Sequence, residues 1–169
     1  MIGKTGSDYK VQLSPNRTAY IPEEHVNEAA PGSFDPISLT GKIRVYGDSV
    51  FDYVQLQLFR RLPYQSVQRI APSAIDVDVY GATSNTNWID QNETIREITH
   101  VTYEQMADEV FRIHISLKHQ QHWGHSIYYS GNNLIIKIKR QPKQLSLNKI
   151  SIAIDAGHGG TNTGAVGPT

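Results

Sequence analysis

The chain contains no cysteine, which excludes a disulfide, a thiolate zinc site and a cysteine nucleophile. It has no surplus of either charge: 16 basic and 16 acidic residues leave a formal net charge of zero. Nothing in that balance neutralises phosphates or draws the chain to an anionic membrane, so nucleic acid is not the expected partner. Apolar runs extend only a few residues, and no segment reads as a bilayer span. The opening residues, MIGKTGSDYK, have neither an apolar segment nor a small-residue cleavage site, so they are not a secretory signal peptide.

What is present is turn chemistry and alternation. Thirteen glycines and eight prolines among 169 residues, with 38% hydrophobic residues, suggest many turns around a modest core. The length suits one domain, or one domain with pieces of others attached. Val54, Leu56 and Leu58 alternate with Gln55 and Gln57; Ile75, Val77 and Val79 with Asp76 and Asp78; Ile113, Ile115 and Leu117 with His114 and Ser116; Ile136 and Ile138 with Lys137 and Lys139. A period of two marks half-buried strands. Turn signals fall between the runs, at Tyr46-Gly47-Asp48, Leu62-Pro63, Tyr80-Gly81 and Ser130-Gly131-Asn132-Asn133. The last predicts a hairpin. One short helix or turn is expected over Thr102 to Asp108, where Gln105 stands at the capping-box position behind Thr102. The fold class predicted is mainly β, a β-sandwich or barrel.

Pattern breaks at Glu28 to Ser33 and at Gln141 to Gln144 divide the chain into residues 1–33, 37–143 and 148–169. In the last stretch Ile150, Ile152 and Ile154 make an apolar strand that runs into Asp155 and a glycine-rich turn around His158. A polar side chain just beyond a buried strand is where α/β sheets place their chemistry. His158 could ligate a metal there and Asp155 could orient its ring. On spacing alone, a phosphate loop or a plain turn fits equally, although GxGxxG and the Walker lysine are both missing.

The string IAIDAGHGGTNTGAVGPT closely resembles the opening of the zinc-dependent N-acetylmuramoyl-L-alanine amidases. That resemblance covers about twenty residues, flagged by their specific DxGHGG signature. It implies an α/β catalytic domain that cleaves the amide between N-acetylmuramic acid and L-alanine of peptidoglycan. It also implies that His158 is the first zinc ligand and Asp155 a supporting residue. The family often has Asp where Asn162 stands here. Its further ligands, a glutamate and a second histidine, and its catalytic glutamate are expected beyond Thr169. The chain by itself is therefore expected to be an inactive, zinc-free piece of an exported wall enzyme, periplasmic or extracellular in origin.

Residues 37–143 should form a complete β-domain. Arg61-Leu62-Pro63-Tyr64, the strand from Ile75 to Tyr80 and Trp123-Gly124 before Tyr128-Tyr129 are similar to the AMIN domains. These β-sandwiches precede amidase modules, and the likeness implies binding to peptidoglycan or to an envelope or division-site protein. Trp88, Trp123, Tyr80, Tyr128 and Tyr129 could stack sugar rings, with Asn85, Asn87 and Asn92 as hydrogen-bond partners. Large aromatics also belong in cores, which is the competing reading for both tryptophans. His119, His122 and His125 are spaced by three, with His114 upstream. A wet hairpin crossing accounts for them better than a metal site, since Trp123-Gly124 argues against a helix. Arg60-Arg61 and Lys137, Lys139 and Arg140 read as charged edges or strand faces.

Residues 9–27 resemble the closing strands of a bacterial SH3-like domain, with a strand from Lys10 to Leu13, a turn from Ser14 to Thr18 and a second strand. An extra hairpin of the middle domain is the alternative. Three functions follow: a wall-targeting part of an amidase, a protein-interaction or autoregulatory module, or a free-standing glycan-binding domain. The signature at His158 weighs against the third.

Overall fold

A computed structural model describes residues 1–27, 29–33, 37–146, 148 and 150–151. Residues 152–169, which hold Asp155, His158 and most of the predicted amidase strand, lie outside the described residues.

The chain begins with a small antiparallel sheet of β1 (Gly3–Thr5), β2 (Asp8–Ser14) and β3 (Arg17–Pro22), in the order β1-β2-β3. The predicted strand–turn–strand from Lys10 to Thr18 is present in it. None of its side chains is fully buried, so it has no core of its own. It is tied by Lys4–Glu23 at 2.7 Å, and Arg17 Nε donates to the Tyr80 hydroxyl at 3.4 Å.

From Ser38 onward the chain folds into two sheets. The first has six strands: β12 (His125–Ser130), β13 (Asn133–Lys139), β5 (Phe51–Leu58), β4 (Ser38–Gly47), and then β8 (Ala82–Thr83) and β9 (Ile89–Gln91), which both pair parallel to β4. The second has four, in the order β10 (Ile98–Ala107), β11 (Val110–Leu117), β7 (Ala74–Tyr80) and β6 (Tyr64–Arg69). The alternating residues meet between them. Val45, Val54, Leu56, Leu134 and Ile136 from the first sheet share one buried cluster with Ile75, Val77, Phe111, Ile113 and Ile115 from the second. Each such side chain contributes about 1.5–3 kcal/mol on burial, so this cluster dominates the stability of the domain. The protein is mainly β, and the predicted sandwich describes its middle.

The predicted hairpin at Gly131 is present, with Ser130 paired to Asn133. Gly131 adopts φ of 60° at the first central position, where a two-residue hairpin of this kind places glycine. The predicted helix over Thr102 to Asp108 is absent, because Thr102 to Ala107 belong to β10 and Asp108 to the turn that follows it. Val101 and Tyr103 alternate into the core cluster, and β11 supplies cross-strand partners from Leu117 to Val110. Gln105 caps nothing: its amide reaches across to the Ala82 carbonyl at 3.1 Å and accepts from the Ser84 N–H at 2.8 Å. A full ladder of interstrand bonds outweighs one capping interaction.

Side chains close the sandwich. Tyr129 Oη donates to the Leu62 carbonyl at 2.6 Å and accepts from its N–H at 2.9 Å. On the other side Tyr103 Oη donates to the Thr86 carbonyl at 2.6 Å. At one end, Asp52 of β5 is fully buried. Its Oδ2 accepts the N–H groups of Arg96, Glu97 and Ile98 at 2.6–2.9 Å, and its Oδ1 meets Arg140 at 2.7 Å. This carboxylate joins the six-stranded sheet to the entry of β10. Gly47 leaves room for it, since a Cβ there would collide with the Arg140 guanidinium and lie 2.8 Å from the Thr94 carbonyl oxygen.

Candidate functional site

A bulge in β4 builds the most distinctive surface feature. Thr40 pairs with Leu58 and Ile43 with Leu56, so Gly41 and Lys42 together oppose Gln57. The bulge splits the neighbouring edge into β8 and β9, and residues 84–88 arch over the gap. Trp88 is held at the surface there, 69% exposed. It lines a groove of about 290 Å³ with Gly41, Lys42, Asn85 and Asn87.

A second hollow of about 130 Å³ continues from it past Gly41 and Asn85 to Gln57 and Phe59. Phe59 is 73% exposed. Gly41 forms the shared floor, where a Cβ would stand 3.1 Å from Gln57 side-chain atoms. The arrangement sets two exposed aromatic rings on either side of a bare backbone, with the Asn85, Asn87 and Gln57 amides along it. Lys42 is held by Asp90 at 2.9 Å, so the rim is close to neutral. Chemically this suits a neutral, hydroxyl-rich ligand: ring faces stack on apolar sugar faces and amides serve as both donors and acceptors.

The same face of the six-stranded sheet carries a row of aromatics. Tyr46 stacks on Tyr53 with centroids 5.1 Å apart, and the Lys137 ammonium sits 3.9 Å over the Phe51 ring. Tyr53 donates to Asp48 at 2.7 Å. That bond, with burial, pushes the Tyr53 hydroxyl up to about 12. The bond and the N–H groups of Val50 and Phe51 draw Asp48 down to about 2. Tyr128, 44% exposed on β12, lies close enough to raise the Tyr46 hydroxyl, although burial is the larger cause.

The predicted platform is therefore divided. Trp88, Asn85 and Asn87 come together in the groove, and Tyr128 stands on the same face nearer the opposite edge. Tyr80 is buried. Tyr129 is half-buried and committed to Leu62, and burial raises its hydroxyl. Trp123 is half-buried, with its indole Nε1 enclosed and unbonded. Asn92 turns its side-chain oxygen to the Thr94 N–H at 3.1 Å.

Gly41, Gln57 and Phe59 were not anticipated from the sequence. Phe59 follows the inward Leu58, so parity alone marked it as an outward aromatic.

The histidines do not converge. His119 pairs with the buried Glu97 at 2.8 Å, while His122 meets Ser73 and the Arg69 carbonyl. Burial and then the nearby His122 lower His125. Among the described residues no group of three or more His, Asp or Glu could hold a metal ion.

On the four-stranded sheet Ser116 Oγ lies 3.3 Å from His114 Nε2, and His114 Nδ1 lies 2.5 Å from Asp76. The order is that of a hydrolytic relay, but the strand N–H groups that could serve an oxyanion are engaged in the ladder with β7 and β10. Asp76 is also shared with Arg69 at 2.6 Å. This is a cross-strand polar ladder. Comparison with protein-family models finds no match, and comparison with curated proteins finds no similar sequence.

Proposed function

We propose that the β-domain binds the glycan of peptidoglycan through the Gly41 groove and holds an amidase on the wall. The observation that carries this is the pair of exposed rings, Trp88 and Phe59, across an amide-lined backbone floor. The DxGHGG-like string at His158 supports the amidase part by resemblance, as the cleavage of the N-acetylmuramic acid–L-alanine amide. The zinc chemistry of that family rests on His158, outside the described residues, so the role advanced for the described domain is binding. In this reading Trp88 and Phe59 supply apolar area, and Asn85, Asn87 and Gln57 fix orientation.

Sedimentation with purified sacculi tests it. The chain should pellet with them, and Trp88→Ala with Phe59→Ala should return it to the supernatant. Pelleting no greater than that of an unrelated control protein would sink wall targeting. The row of Tyr46, Tyr53 and Tyr128 beside the open edge of β12 favours a second reading, docking of an envelope protein. No sacculus binding, together with capture of an envelope protein that is lost in Tyr128→Ala and kept in Trp88→Ala, would favour that one.

A further inference from the structure

One hollow of the domain has nothing to do with sugar stacking. It measures about 680 Å³ and lies where β13 ends, lined by Arg96, Lys118, Lys139, Arg140 and Lys143 against one carboxylate, Glu97. A chain of zero net charge thus concentrates five cations in one concavity. The acids around it are already engaged. Glu97 holds His119 and the Gln141 N–H, Asp52 holds Arg140, and Asp48 holds Tyr53 and two N–H groups.

The two arginines are engaged as well. Arg140 is spent on Asp52 and the Thr94 carbonyl, and Arg96 on the Glu93 and Ile95 carbonyls. Lys118, Lys139 and Lys143 have no ion pair among the described residues. Two of them have fixed backbones, because the Lys118 N–H donates to the Glu97 carbonyl and the Lys139 N–H to the Gly124 carbonyl.

We propose that this groove binds a phosphodiester-linked anionic polymer. Free lysines are point charges suited to single phosphates spaced along a chain, whereas the planar arginine forks that match a carboxylate are occupied. Among the described residues Val50 is the only large exposed apolar side chain lining it, which offers little to insert into a lipid surface. The site is distinct from the Gly41 groove, since Gly41 and Gly47 lie near opposite ends of β4, roughly 20 Å apart at strand rise. It does not depend on the glycan reading.

Titration of the full chain with poly(glycerol phosphate) tests it. Affinity should fall steeply between roughly 50 and 200 mM salt. The variant K118Q/K139Q/K143Q should bind about tenfold or more weakly with an unchanged circular dichroism spectrum. Trp88→Ala should bind this polymer as the unaltered chain does. Equal binding by the triple variant would overturn the proposal, as would preference for anionic phospholipid vesicles over the polymer. Sacculi stripped of phosphodiester polymers separate the two sites, because only the Gly41 groove should still hold them.

Discussion

The two outer faces of the sandwich use similar strands in opposite ways. On the four-stranded sheet the outward charges of the two central strands, β7 and β11, are paired with one another or with Arg69. Arg112 forks onto Asp78 at 2.6 and 2.8 Å, and Asp76 is shared between Arg69 and His114. On the six-stranded sheet the outward side chains include Trp88 and Phe59, which leave their rings in water, with a glycine between them. A face whose charges are paired internally has little left to offer a ligand. A face that exposes large aromatics against a hollow floor carries an unused contact area. That difference is the reason the proposed glycan site is assigned to the six-stranded side.

The largest effect should come from the tie between the sheets. Asp52→Ala leaves Arg140 and three N–H groups without their buried acceptor and should cost about 3–5 kcal/mol. Chemical denaturation would measure it, and both faces should lose integrity together. A cost below about 1 kcal/mol would mean that the tie contributes no more than an ordinary surface pair.

Asp76→Ala strikes only the paired face. Its partners are partly exposed, so the expected cost is about 1–2 kcal/mol, with sacculus binding unchanged. Trp88→Ala should do the reverse. Stability should stay within about 0.5 kcal/mol, while glycan affinity falls about tenfold, or ~1.4 kcal/mol. If the two variants exchanged these effects, the assignment of faces would be wrong.

The smallest effect is acid sensitivity, to which both faces contribute. Asp48 on the aromatic side is held near about 2 against an ordinary 3.8. For Asp76, burial pushes upward but His114 and Arg69 outweigh it, so it too lies below 3.8. Groups with depressed folded values lend stability above the ordinary carboxylate value and lose it as pH falls through the folded one. Stability should therefore decline from about pH 4 toward pH 2, and Asp48→Asn should remove one part of that slope. Denaturation midpoints along an acid series would show it.

Much of the sandwich was legible because burial imposes a period of two on Val54 to Leu58, Ile75 to Val79 and Ile113 to Leu117. The helix expected at Thr102 was misread because Thr102 and Gln105 mimic a cap locally, while the deciding partners sit on β11. The groove was legible only in part. Trp88, Asn85 and Asn87 stand close together in sequence, whereas Gly41, Gln57 and Phe59 join them only through the β4 bulge. A bulge is set by long-range pairing and leaves no periodic trace in a single strand.

The most direct measurement is an amide and indole NMR titration of the chain with soluble peptidoglycan glycan fragments. The account predicts that shifts concentrate on the Trp88 indole N–H and on the side-chain amides of Asn85, Asn87 and Gln57, with Arg112, His114 and Asp76 unmoved. Shifts gathered on the four-stranded face, or none at saturating glycan, would contradict it.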